Sequence, residues 1–373
     1  MSGARQPLPS WALNVLMPAM NVLLALFVGG LAVALIGENP IEAMRVLAYG
    51  AFGSGYGLGF TLHYATSLTF TGLAVAVAYH SGLFNIGGEG QAYVAGLGAI
   101  MMALWLDQTH WVFVLVGSIV GAMTLGALWA AIPGYLQAKR GSHIVITTIM
   151  FNFIASAFMS YMLAQVITNP GANAETRTIA ETGRIPLLSE YFEFFKHSPV
   201  NIMLIFGILA LIGVYILLWR TKLGFKIRTL GQNPEAARYA GISAVSIIVI
   251  AMAISGALAG MMAVNEAVSV QKRLVVGYVQ GFGFIGIAVA FMGRAHPVGI
   301  VLAAILFGAL YQGGVELAFV MPAVPSELVL VIQALVILFS GAMDEMFKPV
   351  LERVFGAFRS KPRTDDSTAT EEA

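Results

Sequence analysis

The sequence predicts an all-α, polytopic membrane bundle of about ten transmembrane helices, with broken or re-entrant segments and both termini cytoplasmic. Three observations predict it. Of the 373 residues, 58% are hydrophobic and only 10% charged, against about 25% charged in an ordinary soluble domain. Uncharged runs cover 11–37, 46–88, 90–106, 108–138, 199–218, 241–265, 274–293 and 295–315, and several exceed the roughly 20 apolar residues that cross a bilayer. None shows the alternating pattern of a membrane barrel, so helices are left to satisfy the backbone.

The elements follow in chain order. Residues 1–10 form a cytoplasmic N-terminus, and 11–343 the membrane domain. Within the first span, 11–37, the stretch 11–31 has Arg5 before it and Ala-Val-Ala at 32–34 after it, as a secretory signal would. Its apolar core outruns the roughly 7–15 residues of a signal, so it is read as a retained span. Further spans are expected at about 60–80, 89–106, 112–137, 143–167, 201–219, 243–264, 277–293, 297–316 and 326–343. An external loop occupies 168–200 and a cytoplasmic loop 220–242. The tail 344–373 is cytoplasmic, and the charged composition of its end, RSKPRTDDSTATEEA, predicts disorder there.

Orientation comes from lysine and arginine, which stay inside. Arg220, Lys222, Lys226, Arg228 and Arg238 stand against Glu235 alone in one loop, which is therefore cytoplasmic. Counting spans outward places Lys139, Arg140, Arg294 and the basic tail on the same side, while 168–200 falls outside.

Two stretches do not read as simple crossings. GAFGSGYGLG, 50–59, opens a run too long for one span, and its five glycines disfavour a regular helix. QGFGFIGIAVAFMG, 280–293, reaches only about 21 Å as a helix. Interrupted helices persist in membranes only where protein or a water-filled cavity satisfies them. Both stretches are thus candidates for lining a path, or else tight crossings that need glycine. Gly117 with Gly121, and Gly256 with Gly260, offer further close-packing faces, within one subunit or between two. GLAVA at 72–76 and GIAVA at 286–290 hint at an internal repeat.

Much chemistry is excluded. A net charge of +1 gives no field toward nucleic acid. Without cysteine there is no disulfide or thiolate site. GFGFIG at 281–286 lacks the acidic residue of a dinucleotide fold, and no phosphate-cradling P-loop occurs. The six histidines lack metal-ligand spacing, and no nucleophile elbow appears. No catalytic residue and no metal site are assigned, and the chain is read as a non-enzyme.

Three polar features remain. In NPEAARYAG, Asn233 suits an N-cap, Pro234 the first helical position, Glu235 the positive dipole end and Gly241 a left-handed C′. This predicts one short helix that must pack on something, either lipid headgroups or a cytoplasmic partner. In GLFNIGGEGQ, 82–91, glycines free the backbone while Asn85, Glu89 and Gln91 supply polar side chains. These either line a path, pin two half-helices or close a turn. Asn152, about 13 Å into its span, either meets a polar solute or bonds a neighbouring helix.

Glu235, Ala236, Ala237 and Gly241 match the E-A-A-x-x-x-G coupling loop of ABC importer permeases, although the distal I-x-L-P is missing after Ile250. With GLFNIGGEGQ, TTIMFNFIA at 147–155 and GFGFIGIAVAFMGRAHPVGI at 281–300, the chain resembles the ribose/simple-sugar and branched-chain amino-acid permeases, most closely their nucleoside branch. The resemblance spans about 38–342. It implies the permease subunit of an importer for a small polar solute, a nucleoside or simple sugar, in a bacterial inner membrane. Gly231, Asn233, Pro234, Glu235, Ala236, Ala237, Arg238 and Gly241 would couple to an ATPase, and Asn85, Glu89, Gln91 and Asn152 are the candidate residues of the translocation path. Implied partners are two ATPase domains that bind the ATP, a second homologous permease, an external solute-binding protein and membrane lipid, with no nucleic acid. This chain would hold no cofactor. An ion-coupled secondary transporter is the alternative, but in 90–138 and 295–315 the only carboxylate is Asp107, in a loop. A receptor-like protein docking a partner on the basic loop is a third reading, weakened by the small external loop.

Overall fold

A computed structural model describes residues 16–168, 174–325 and 327–358. Thirteen α-helices order these residues: α1 Met17–Leu35, α2 Pro40–Phe52, α3 Gly55–His80, α4 Gly88–Leu106, α5 Trp111–Arg140, α6 Ile144–Tyr161, α7 Met203–Arg220, α8 Lys222–Gln232, α9 Pro234–Tyr239, α10 Ala244–Ala263, α11 Phe282–Met292, α12 Pro297–Val320 and α13 Glu327–Phe358. Seven helical stretches are long and apolar enough to cross a membrane, those of α6 and α10 running on through π-turns to Val166 and Val270. Two shorter apolar helical stretches, α11 and residues 327–339 of α13, accompany them.

Each expected span meets a helix, and the two doubtful stretches are interrupted. Asn39 caps α2 by accepting the Ile41 N–H at 3.0 Å, and Ser54 caps α3 by accepting the Gly57 N–H at 3.0 Å. The kink between them falls at Gly53 and Ser54. Gly55, Gly57 and Gly59 are inside α3, so these glycines start a helix rather than prevent one. Gly59 and Gly57 allow Ser198 and the Gly50 carbonyl to sit where a Cβ would be. The second stretch enters its helix only at Phe282, after turns with positive φ at Gly277, Gln280 and Gly281. Residues 344–358, expected in the tail, continue α13; 1–10, the first part of the first span, and 359–373 lie outside the described residues.

The core is a helix wrapped by helices. Residues 65–78 of α3 are buried without a break, and α10, α11 and α12 pack around them. At its centre α4, α5 and α10 approach through glycine. A Cβ on Gly121 would strike the Gly98 carbonyl, one on Gly256 the Gly126 carbonyl, and one on Gly260 the Ala122 carbonyl. These faces are therefore used within the subunit.

The external loop is folded onto the bundle from residue 174 on. Ile179 and Ile185 are buried in it. Asp107, just beyond α4, is its anchor: the Arg177 guanidinium and the Ala180 N–H both donate to the Asp107 carboxylate, the latter at 3.1 Å. Burial alone would raise the Asp107 pKa, yet the hydrogen bonds from Arg177 and Ala180 outweigh it and hold the carboxyl below its ordinary value. The bond to Asp107 correspondingly raises Arg177.

Candidate functional site

At the basic loop 220–242 the chain leaves α7, turns at Thr221 and builds α8 and α9. The Thr221 hydroxyl caps α8 by accepting the Gly224 N–H at 3.0 Å, and Gly224, Ile227 and Leu230 bury its inner side. This longer helix within the basic loop was not expected. Gly231, at its end, lies so close to the His80 carbonyl that a Cβ would collide, which ties the loop to the end of α3.

The short helix forms as its residues dictate. Asn233 Oδ1 accepts the Ala236 N–H at 3.0 Å, Pro234 opens the helix and Glu235 lies in its first turn. At the other end the Ile242 N–H reaches the Ala237 carbonyl at 2.9 Å and the Gly241 N–H the Arg238 carbonyl at 3.0 Å, with Gly241 at φ +72°. That pair of bonds is a Schellman motif, closed by a glycine in the left-handed region. Of the six helical residues only Ala237 is buried, whereas Pro234, Glu235, Ala236, Arg238 and Tyr239 face outward, Tyr239 at 93% exposure.

Inside the membrane the polar residues of 82–91 form one network. The Asn85 amide donates to Gln91 Oε1 at 3.1 Å and to Ser255 Oγ at 2.9 Å, and the Ser255 hydroxyl in turn donates to the Ala74 carbonyl. Asn152 joins from α6, accepting the Gly90 N–H at 2.9 Å and donating to the Ile86 carbonyl at 3.0 Å. Glu89 turns the other way. Its carboxylate accepts the Gly281 N–H at 2.9 Å and the Gly283 N–H at 2.8 Å, so it closes the open amino end of α11. A half-helix whose first N–H groups point at a carboxylate satisfies both the orphan donors and the helix dipole. Asn85 and Gln91 are fully buried in this network; Glu89 and Asn152 are half-buried. The structure thus brings the four candidates to one junction of α4, α6, α10 and α11, in bonds that pin backbone to backbone.

A second polar cluster escaped sequence reasoning. Glu266, on the π-turn after α10, accepts from Ser67 Oγ at 2.7 Å and lies 3.1 Å from His63 Nε2. Asn265 donates to Ser67 Oγ at 2.8 Å and accepts from Asn201 at 2.9 Å. All five residues are buried. The available signal was Asn-Glu at 265–266 closing an apolar run, since an ionisable side chain at membrane depth points to function. Its partners lie up to about 200 positions away and leave no local trace. Among the described residues no group of three metal-ligating side chains converges.

The described residues thus form an all-helical bundle with seven stretches long and apolar enough to cross a membrane, interrupted helices and one short, doubly capped exposed helix. The chain belongs to the branched-chain amino acid transport system / permease component family, whose model matches residues 57–341. It is 33% identical over 351 residues to the glucose ABC transporter permease protein TsgB13 of Haloferax volcanii, covering 92% of this chain and 91% of that one. It is 34% identical over 329 residues to the guanosine ABC transporter permease protein NupP of Bacillus subtilis, covering 87% and 92%. A second guanosine ABC transporter permease protein of Bacillus subtilis, NupQ, is 27% identical over 254 residues, 66% of this chain and 78% of NupQ. The chain is therefore a multi-pass ABC transporter permease, a transport component rather than an enzyme.

Proposed function

We propose that this permease imports a nucleoside or simple sugar, driven by two ATPase domains that grip α9 from the cytoplasm. The observation that carries the coupling is the exposed, doubly capped α9. Six residues do not hold a helix in water on their own, so the caps and Ala237 keep it formed with its outer side free. ATP is bound and split in the partner chains, and this subunit holds no cofactor. Closure of the ATPases moves α8 and α9, and through Gly231 the cytoplasmic end of α3, shifting the bundle between inward- and outward-open states. An external binding protein delivers the solute. Family membership implies the ATPases and the binding protein. The two guanosine permeases of one Bacillus subtilis strain support a homologous, non-identical second permease.

The substrate class rests on the relatives and on a membrane interior with few charges, which suits a hydroxyl-rich solute better than an ion. The test of coupling is Glu235→Arg with Ala236→Asp. Membrane insertion and folding survive while co-purification of the ATPase drops; unchanged co-purification would make α9 a lipid-surface helix instead. The buried Glu266 and His63 favour one second reading, an ion-coupled transporter. Uptake into vesicles with trapped ATP, compared with an imposed proton or sodium gradient, separates the two, and uptake on the gradient alone would overturn the ATP-driven reading.

A further inference from the structure

The outer half of α3 carries aromatic rings at Tyr56, Phe60 and Tyr64, four residues apart and hence on one face. Their centroids are 4.8 and 6.0 Å apart in succession. At the inner end Tyr64 meets Tyr311 of α12 at 4.5 Å and Phe282, the first residue of α11, at 6.0 Å. This stripe is not sealed. Tyr56 is 44% exposed, and Phe60, Tyr64 and Tyr311 are half-buried, whereas α3 is wholly buried from 65 to 78.

Gln280 shows which medium the stripe faces. It precedes an eleven-residue helix whose cytoplasmic end lies about 16 Å away, roughly half of a 30 Å hydrocarbon core. Its side chain is exposed at that depth. A primary amide does not face lipid tails, where nothing answers its hydrogen bonds; it faces water or a polar solute. Gln280 Oε1 accepts from the Tyr311 hydroxyl at 3.3 Å, and its amide nitrogen has no partner among the described residues. The residue is held at φ +48°, a strained conformation for a side chain other than glycine and one that concentrates at functional sites.

We propose that Tyr56, Phe60, Tyr64 and Tyr311, backed by the buried Phe282 and with the Gln280 amide at their inner end, form the solute-reading wall of the translocation path, and that the solute they read carries an aromatic heterocycle. Planar rings stack on aromatic side chains whatever their substituents, and the free amide donor of Gln280 is positioned for a heteroatom at the ring's edge. A nucleoside presents both features; a free sugar offers oxygen acceptors but no planar ring to stack. The inference rests on the importer reading above and narrows its substrate class.

The test uses the complete transporter, with ATPases, second permease and binding protein, in proteoliposomes. ATP-driven uptake of guanosine and of ribose is measured for wild type, Tyr64→Leu and Tyr64→Phe, with subunit stoichiometry as the folding control. The expected result is that Tyr64→Leu slows guanosine uptake about tenfold with unchanged stoichiometry, while Tyr64→Phe stays within about twofold. Guanosine uptake unaffected by Tyr64→Leu overturns the proposal. So does loss of the second permease from the Tyr64→Leu complex, which would make the stripe a subunit interface. A wild type that carries ribose but not guanosine overturns it while leaving the importer standing. A wild type that carries neither on ATP overturns both.

Discussion

The carboxylate of Glu89 accepts the backbone N–H of Gly283 at 2.8 Å, and the two residues lie 194 positions apart. One acidic side chain at the start of α4 thereby fixes where the half-helix α11 begins. The contact admits no side chain at position 283, because a Cβ there would overlap the backbone of Glu89.

Glu89→Ala strips the cap from α11 and leaves the Gly281 and Gly283 N–H groups without their acceptor. Loss of such a cap costs about 0.5–2 kcal/mol, toward the upper end here because two part-buried donors lose their acceptor. A clear fall in the thermal unfolding temperature of the detergent-purified protein is expected, with Glu89→Gln losing less because one oxygen still accepts. Equal stability of wild type and Glu89→Ala would remove the capping role.

Asn233→Ala removes the oxygen that receives the Ala236 N–H. The expected cost to α9 is about 1 kcal/mol, visible as faster amide exchange over 235–239 with the rest of the protein unchanged. Asn233→Ser restores protection, since serine caps nearly as well.

Glu266→Ala deletes the buried acceptor shared by Ser67 and His63. Each buried hydrogen-bonding group left without its partner costs about 1–3 kcal/mol, so the variant is expected to accumulate poorly in the membrane. Glu266→Gln, which keeps an acceptor for Ser67, is expected to accumulate better. Quantitative blotting of membrane fractions distinguishes them.

The Asp107 and Arg177 anchor sets a pH dependence. Because the folded carboxyl titrates below its ordinary value near about 3.9, its contribution is present above that value and is lost as pH falls through the lower, folded one. Protease nicking within 174–200, measured from outside the membrane, is expected to stay low down to about pH 4 and to rise below it. In Asp107→Asn nicking is raised at neutral pH and changes little on acidification.

What was legible in the sequence was whatever is written in neighbours. The run lengths placed the spans, and the order of Asn233, Pro234, Glu235 and Gly241 specified α9 down to its caps, because caps are made within about four residues. Glu89 stood out as an ionisable group among glycines, but not its choice of partner. The Glu266 cluster draws on α3, the head of α7 and the end of α10, and such convergence appears only once helices are packed. α8 was hidden because its basic outer face also reads as a loop that fixes orientation. The glycines of α3 misled in the other direction: their small size answers to Ser198 and Gly50 pressed against them, a demand of the neighbours and not of the local backbone.

Where Gly98 meets Gly121, and Gly126 meets Gly256, peptide planes abut with no cushion between them. Nothing there can be squeezed or re-rotamered to absorb a slide, so α4, α5 and α10 travel as a single plate. The breaks in helical continuity lie elsewhere, beside Gly53 and at Gly277 and Gly281, whose φ angles are positive.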